Sequence, residues 1–469
     1  MPPAPEARPA DRDSIRELIA RYDRPGPRYT SFPTAVEFGD DFGPAAYAER
    51  LAAADARGDE PLSLYLHLPF CQERCLFCGC HVIITPHQDR AAPYLRLLAR
   101  EVELVAARLP NRRRTAQLHL GGGTPTYHGP DELTTLVESV LARFPPADGA
   151  ELAVEVDPRV TRFAHVDALA ALGFNRISLG VQDLTAEVQE RIRRVQSLQE
   201  TAALVRRARQ RGFTGVNVDL IYGLPRQRPE TFEATVEAVI ALGADRVAVY
   251  SFAYVPWLRG HQKEIAPEEL PPRERKLELF AVARERFLAA GYEPLGMDHF
   301  ALPSDELARA RRERRLKRNF QGYAVVPGTD SLGFGISAIG DVRGAYVQNL
   351  KKLSTYERAV SDGELPVERG LVRSRDDELR RRLIHELMCN FAIDRTAFED
   401  ELGEPFAAYF AADLAELAEY RDAGLVEVGD DRIEATPTGE LFVRNLAMCF
   451  DPYLRRKRAG DGPVFSRTV

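Results

Sequence analysis

Between residues 61 and 254 the chain repeats one unit six times: a short apolar or β-branched run, followed in most cases by a stretch of helical spacing. The runs cover residues 62–68, 116–120, 152–156, 176–181, 216–222 and 246–252. Apolar residues recur every three or four positions over 94–109, 133–144, 198–211 and 230–242, which predicts helices there. Pro229 suits the first turn of the last of these and Gly243 its end. Repeated strand–helix units place the strands in a parallel sheet with helices outside it. Six units predict an α/β fold, an incomplete parallel (β/α)6 barrel, whose chemistry gathers at the C-terminal ends of the strands.

Unusual residues sit at those ends. The first run leads into Pro69-Phe70-Cys71 and the second into Gly121-Gly122-Gly123-Thr124-Pro125. The third closes on Glu155-Val156-Asp157-Pro158 and the fourth on Gly180-Val181-Gln182-Asp183. Asp219 lies within the fifth, which ends in Tyr222-Gly223-Leu224-Pro225. Five polar or glycine-rich tips on one face mark a site.

Beyond the repeats, residues 304–318 are heavily charged, followed by Asn319-Phe320-Gln321-Gly322-Tyr323 and a glycine-rich stretch at 333–340. From about residue 374 helical spacing returns, and residues 424–439 read as a hairpin leading into a last helix, a winged-helix-like element. The expected domains are an N-terminal arm (1–58), a catalytic domain with a barrel extension (59–365) and a mainly helical C-terminal domain (366–469). The basic runs at 206–211 and 309–317 read as solvated helix faces.

A net charge of −7 and a pI near 5.9 argue against general binding to nucleic acid or to an anionic membrane surface. No run approaches the roughly 18 apolar residues of a membrane span, and the first thirteen residues, rich in Pro, Ala and charge, do not read as a secretory signal. Of six cysteines, four fall within ten residues: Cys71, Cys75, Cys78 and Cys80. One tight cluster in a long chain suits a metal or redox site in a reducing, cytoplasmic compartment rather than a disulfide scaffold.

Thiolates are preferred by iron–sulfur clusters and by zinc. Structural zinc takes two separated pairs and fills all four positions. A single compact loop with three thiolates leaves one iron of a [4Fe-4S] cluster open to a further ligand. The residues alone lead to a radical enzyme of unknown substrate, with a zinc knuckle as the competing reading.

The Cys-x3-Cys-x2-Cys spacing of Cys71, Cys75 and Cys78 resembles the radical S-adenosylmethionine (SAM) signature. More specific are the Pro-Gly-Pro-Arg-Tyr-Thr-Ser-Phe-Pro-Thr run at 25–34, Leu-Tyr-Leu-His-Leu-Pro-Phe-Cys at 64–71, and Cys78-Gly79-Cys80. With 121–127, 155–159, 180–183, 219–225, 318–323 and 448–451, these make the chain similar to the oxygen-independent coproporphyrinogen III oxidases from about residue 20 to its end.

That resemblance implies decarboxylation of two propionates of coproporphyrinogen III to vinyls. A 5′-deoxyadenosyl radical takes hydrogen from the propionate β-carbon, and CO2 and one electron then leave. It implies that Cys71, Cys75 and Cys78 hold a [4Fe-4S] cluster, while Cys80 is a fourth cysteine outside the ligand set, with a packing or a catalytic role. Gly122, Gly123 and Thr124 would hold the methionine end of SAM, with Tyr65 near its adenine or the cluster. Glu155, Gln182, Arg194 and Asp219 match SAM-contacting positions, and Ala253, Gln321 and Ile339 match positions lining a second SAM. A substrate with four carboxylates calls for cations, for which Arg24, Arg28 and Arg318 are the candidates; Arg28 is counted with Tyr65 and Cys80 as catalytic. His67, His81 and His299 read as structural histidines. Electron donor and acceptor are unidentified partners, and a monomer is expected.

A heme-binding chaperone of the same superfamily is the main alternative. Those proteins lack the cysteine that Gly79-Cys80 supplies and carry a His-Asn-x-x-Tyr-Trp motif; here the single tryptophan is Trp257, and His385 is followed by Glu386. A methyl-transferring or ring-opening porphyrin enzyme is disfavoured by the 25–34 run and the intact tail.

Overall fold

The computed structural model describes residues 12–325, 330–457 and 465–468, so the first eleven residues of the expected arm lie outside the described residues. Six strands, β1 (Leu62–Leu68), β2 (Thr115–Gly122), β3 (Pro146–Val156), β4 (Arg176–Gln182), β5 (Gly215–Tyr222) and β6 (Arg246–Ser251), lie side by side in chain order. All are parallel. After each comes a helix: α1 (Ala92–Ala106), α2 (Pro130–Arg143), α3 (Phe163–Ala171), α4 (Leu198–Gln210), α5 (Pro229–Ala241) and α6 (Arg273–Ala289). Helices α3 and α6 fall in stretches whose spacing had left them unassigned.

The barrel is incomplete because β1 and β6 pair with other partners. Strands β7 (Glu293–Leu295) and β8 (His299–Ala301) turn back antiparallel against β6. On the other side β9 (Asp330–Phe334) joins β1 in parallel, and β10 (Ile339–Val342), β11 (Ala345–Asn349) and β12 (Val367–Val372) continue antiparallel. Strand β12 carries the twelve-stranded sheet a few residues past 365.

Each barrel strand alternates with period two. Leu64, Leu66, Leu118, Leu120, Val154, Ile177, Leu179 and Val216 are buried against helix residues such as Leu98, Val102, Val137 and Val140. Each such burial stabilises the layer by roughly 1.5–3 kcal/mol. Most intervening positions are polar: Tyr65 and His67 on β1, Gln117 and His119 on β2, Glu155 on β3, Ser178 on β4, Asn217 and Asp219 on β5, Tyr250 on β6. A parallel sheet covered on both faces reads as continuously apolar; this one instead lines a polar interior.

The C-terminal region starts with α7 (Arg375–Asn390), capped by Ser374, whose hydroxyl accepts from the Asp377 amide. Short helices and a three-stranded sheet of Ala392–Asp394, Arg432–Ala435 and Val426–Val428 follow, with the expected hairpin between the last two. Ile19, Tyr22, Tyr29 and Phe32 of the arm are buried in this region's core with Leu383, Leu387 and Phe450. The arm helix Pro44–Asp55 instead sinks Tyr47, Leu51 and Ala54 into the main core. One segment thus serves two cores. Among the described residues no helix is long and apolar enough to cross a membrane.

Candidate active site

Past the end of β1, Phe70–Cys71 pairs in parallel with Ile83–Ile84 and closes a loop that carries the four clustered thiols. The Leu76 amide donates to the Ile192 carbonyl at 3.0 Å, and His261 Nε2 donates to the Cys78 carbonyl at 2.9 Å. Cys71, Cys75, Cys78 and Cys80 line one cavity together with Gly122, Gly123 and Thr124. The far wall of that cavity includes Glu155, Gln182, Arg194 and Asp219. Two guanidiniums face Cys75 Sγ, Arg159 Nη2 at 3.4 Å and Arg194 Nη1 at 3.6 Å. Thr124 Oγ1 lies 3.4 Å from Cys71 Sγ.

The glycines after β2 are required by the chain itself. Gly122 has φ +113°, and a Cβ there would meet the His67 ring at 2.7 Å. A Cβ on Gly123 would lie 2.6 Å from the Pro69 backbone. This close approach brings the second strand end against the thiol loop, with Gly123 N donating to the Leu68 carbonyl at 2.8 Å.

Glu155 is held from two sides: His119 Nε2 lies 3.0 Å from Oε1, and the Gly122 amide donates to Oε2 at 3.3 Å. Burial alone would raise its pKa, but the hydrogen bond and charge of His119 leave it below the ordinary value. Tyr65 lies beside His119, their rings 5.9 Å apart. His67 Nε2 donates to the His81 carbonyl at 2.9 Å, so Nδ1 accepts from the Tyr65 hydroxyl at 3.0 Å. Burial depresses His67 to about 4, and the ring is neutral. His81 in turn donates to the Lys351 carbonyl at 2.9 Å.

Asp219 accepts from Ser178 Oγ at 3.2 Å and Asn217 Nδ2 at 2.9 Å. Burial, then the nearby Glu155 charge, push its carboxyl up to about 6. Gln182 ends β4 at a register shift and has φ +68°, a left-handed conformation that a non-glycine residue takes at a cost. Arg194 reaches back to the strand ends, donating to Asp157 at 3.0 Å and to the Gly180 carbonyl at 2.6 Å. Its Nε is buried without a partner.

Arg28 pairs with Asp298 beside the barrel and stacks over the Tyr250 ring, 5.4 Å from its centroid. Asp298 also accepts from His299 Nδ1 at 2.7 Å. Burial would raise the Asp298 carboxyl, but Arg28 and His299 hold it well below the carboxylate range. Arg318 is buried over the Tyr323 ring at 4.6 Å, and its Nε and Nη1 have no partner. Arg24 lies over Tyr420, 5.9 Å from the ring centroid, at the arm's contact with the C-terminal core. Gln321 lines a second cavity that runs down the barrel past Asp219 and Tyr250. Ala253 follows β6, where its carbonyl accepts from Gln262, and Ile339 opens β10. Neither shares the wall on which Gln321 lies.

Sequence reasoning had not singled out His119, Ser178, Asn217, Tyr250, Asp298 or Arg159. The period-two alternation within the strands was the available signal for the first four. Asp298 carried none, whereas Arg159 closes the 155–159 run on which the resemblance partly rests. Soft thiol donors in one loop, flanked by guanidinium charge and open to a polar cavity, fit an iron–sulfur cluster. Among the described residues no three Cys, His, Asp or Glu side chains converge tightly enough to hold a single ion.

The radical SAM superfamily profile matches residues 65–239, and the HemN C-terminal domain profile matches 374–442. The oxygen-independent coproporphyrinogen III oxidase of Salmonella typhimurium is 44% identical over 452 residues, covering 96% of this chain and 98% of the relative. The protein of the same name from Escherichia coli strain K12 gives the same identity and coverage. That of Pseudomonas aeruginosa is 42% identical, covering 94% of this chain and 97% of the relative. A solved structure of E. coli coproporphyrinogen III oxidase (HemN), described as a radical SAM enzyme, superposes with a TM-score of 0.87 at 43% identity, covering 91% of this chain and 97% of that one.

Proposed function

The chain belongs to the oxygen-independent coproporphyrinogen III oxidases of the radical SAM superfamily, and from that premise we propose how its residues divide the work of converting two propionates of coproporphyrinogen III to vinyls. Bound at the thiol loop, the [4Fe-4S] cluster and SAM supply the radical chemistry that takes hydrogen from the propionate β-carbon, after which CO2 and one electron leave.

Cys71, Cys75 and Cys78 are the cluster ligands, and Arg159 and Arg194 offset their negative charge. Gly122, Gly123 and Thr124 bind the methionine end of SAM, where the backbone can approach closely. The ionised Glu155, oriented by His119, accepts from an ammonium or hydroxyl group of SAM, and Asp219 accepts from a hydroxyl. Gln182 and Arg194 complete this wall, with Tyr65 beside it. Cys80 faces the same cavity outside the ligand set. Gln321, Ala253 and Ile339, which lie on separate walls, are the positions assigned to a second SAM.

Arg28, with Arg318 deeper in and Arg24 on the arm, receives substrate carboxylates. The arm that carries Arg28 excludes water from the radical. A monomer is the working unit of this reading. The electron donor and acceptor are separate partners.

The reading is carried by one observation: the thiol loop and Glu155, Gln182, Arg194 and Asp219 line a single cavity. Its test is anaerobic turnover of the reconstituted protein with SAM, a reductant, an electron acceptor and coproporphyrinogen III, followed by mass spectrometry. The expected product has lost two carboxyl groups as CO2 and gained two vinyls. SAM cleavage with an unchanged porphyrinogen, together with tight stoichiometric heme uptake, would instead indicate a heme carrier.

A further inference from the structure

The proposed reaction, on which this inference rests, requires an electron to reach the thiol loop from outside the protein. The surface beside that loop has a distinctive make-up. Trp257, the single tryptophan of the chain, is 54% exposed, and the adjacent Leu258 is 60% exposed. An exposed Trp–Leu pair is costly to leave against water, and Trp is a recurrent anchor of protein interfaces.

This pair is fastened to the thiol loop. Gln262, fully buried, donates to the Phe77 carbonyl at 3.3 Å and accepts from the Val255 amide at 2.7 Å. His261 donates to the Cys78 carbonyl. The Leu258 and Arg259 amides both return to the Val255 carbonyl at 2.9 Å, which turns Trp257 outward on a tight loop. Arg74, Arg259 and Glu264 lie close enough to His261 for their charges to act on it, and Lys263 is exposed next to it. Among the described residues none of these three cations is paired with a carboxylate, whereas the neighbouring Arg193 is paired with Glu264. A cationic rim around an apolar centre thus lies over the thiol loop of a chain whose net charge is −7.

We propose that Trp257 and Leu258, rimmed by Arg74, Arg259 and Lys263, form the docking face for a small acidic one-electron carrier protein. Redox partners meet through small, short-lived interfaces, under about 1,200 Å², and rely on opposite charge to find one another. Cations around an exposed aromatic provide both elements. In the transfer the reduced carrier loses one electron, the enzyme's iron–sulfur site gains it, and no bond forms between the proteins.

The test uses the full-length reconstituted enzyme with two reductants, dithionite and reduced flavodoxin, an acidic one-electron carrier. Wild type is compared with Lys263→Glu and with the double variant Trp257→Ala, Leu258→Ser. In both variants the flavodoxin concentration for half-maximal turnover should rise roughly tenfold, while dithionite-driven turnover stays at the wild-type level. Added NaCl should raise the same concentration for wild type. Unchanged half-saturation in both variants would overturn the proposal, and so would an equal loss with the two reductants. A wild type that runs on dithionite but refuses flavodoxin would overturn it while leaving the proposed function intact. A wild type idle with dithionite as well would overturn that function, and the docking face with it.

Discussion

Tyr29, in the arm, donates a 2.9 Å hydrogen bond to Asp451, 422 residues further along the chain. Arg444 reinforces the junction by donating to the carbonyls of Gly26, Pro27, Arg467 and Thr468. The next residue back, Arg28, reaches Asp298. Adjacent residues of the arm are therefore tied to the C-terminal core and to the side of the barrel. Tyr29→Phe removes a buried hydrogen bond to a carboxylate, worth about 1.5–3 kcal/mol. Thermal unfolding should show that loss, with iron content unchanged.

Arg28→Ala should separate SAM cleavage from decarboxylation. No thiol or SAM-facing residue is touched, so 5′-deoxyadenosine should still form, while porphyrinogen turnover falls roughly tenfold to a hundredfold with the loss of one charge-assisted contact. Product and deoxyadenosine counted in one assay give the ratio. A chain truncated near Val36 would be a poorer test, because it strips Ile19, Tyr22, Tyr29 and Phe32 from the C-terminal core.

Asp219 sets a pH dependence. With its carboxyl pushed up to about 6 by burial and by Glu155, it keeps a proton below that pH and accepts fully only above it. Equilibrium SAM affinity should rise as the pH passes from 5 to 7 and then level off. Asp219→Asn should flatten that curve and lower affinity roughly tenfold at pH 7.5. For stability the sign is opposite. A carboxyl raised above its unfolded value contributes fully below about 3.9, and that contribution is lost as the pH rises through 6.

The four thiols should differ. Cys75→Ala removes the sulfur that faces Arg159 and Arg194 and should leave protein without cluster absorbance, because one iron loses its thiolate. Cys80→Ala should keep the cluster's iron and sulfide, though turnover can suffer. Iron and sulfide assays on the two variants, side by side, check the assignment.

The strand ends were legible because each breaks an apolar run with residues that a plain turn does not need: Cys71, Gly122, Glu155, Gln182 and Asp219. Their convergence followed from the strand–helix alternation, since parallel neighbours carry their C-terminal ends to one side. His119 and Tyr250 were less visible, because one polar residue between two apolar ones also marks a strand with an exposed face. The pairing register of the second and third strands, which sets His119 opposite Ala153, decides that His119 meets Glu155. The arm's packing on the C-terminal core was not legible. Tyr29 and Asp451 are joined by long-range packing, for which neither spacing nor composition leaves a local trace.

The most direct test of the central claim follows hydrogen itself. Coproporphyrinogen III deuterated at its propionate β-carbons, turned over anaerobically with unlabelled SAM, should deliver deuterium into 5′-deoxyadenosine, one atom for each vinyl formed. Vinyl product accompanied by unlabelled 5′-deoxyadenosine would contradict the account.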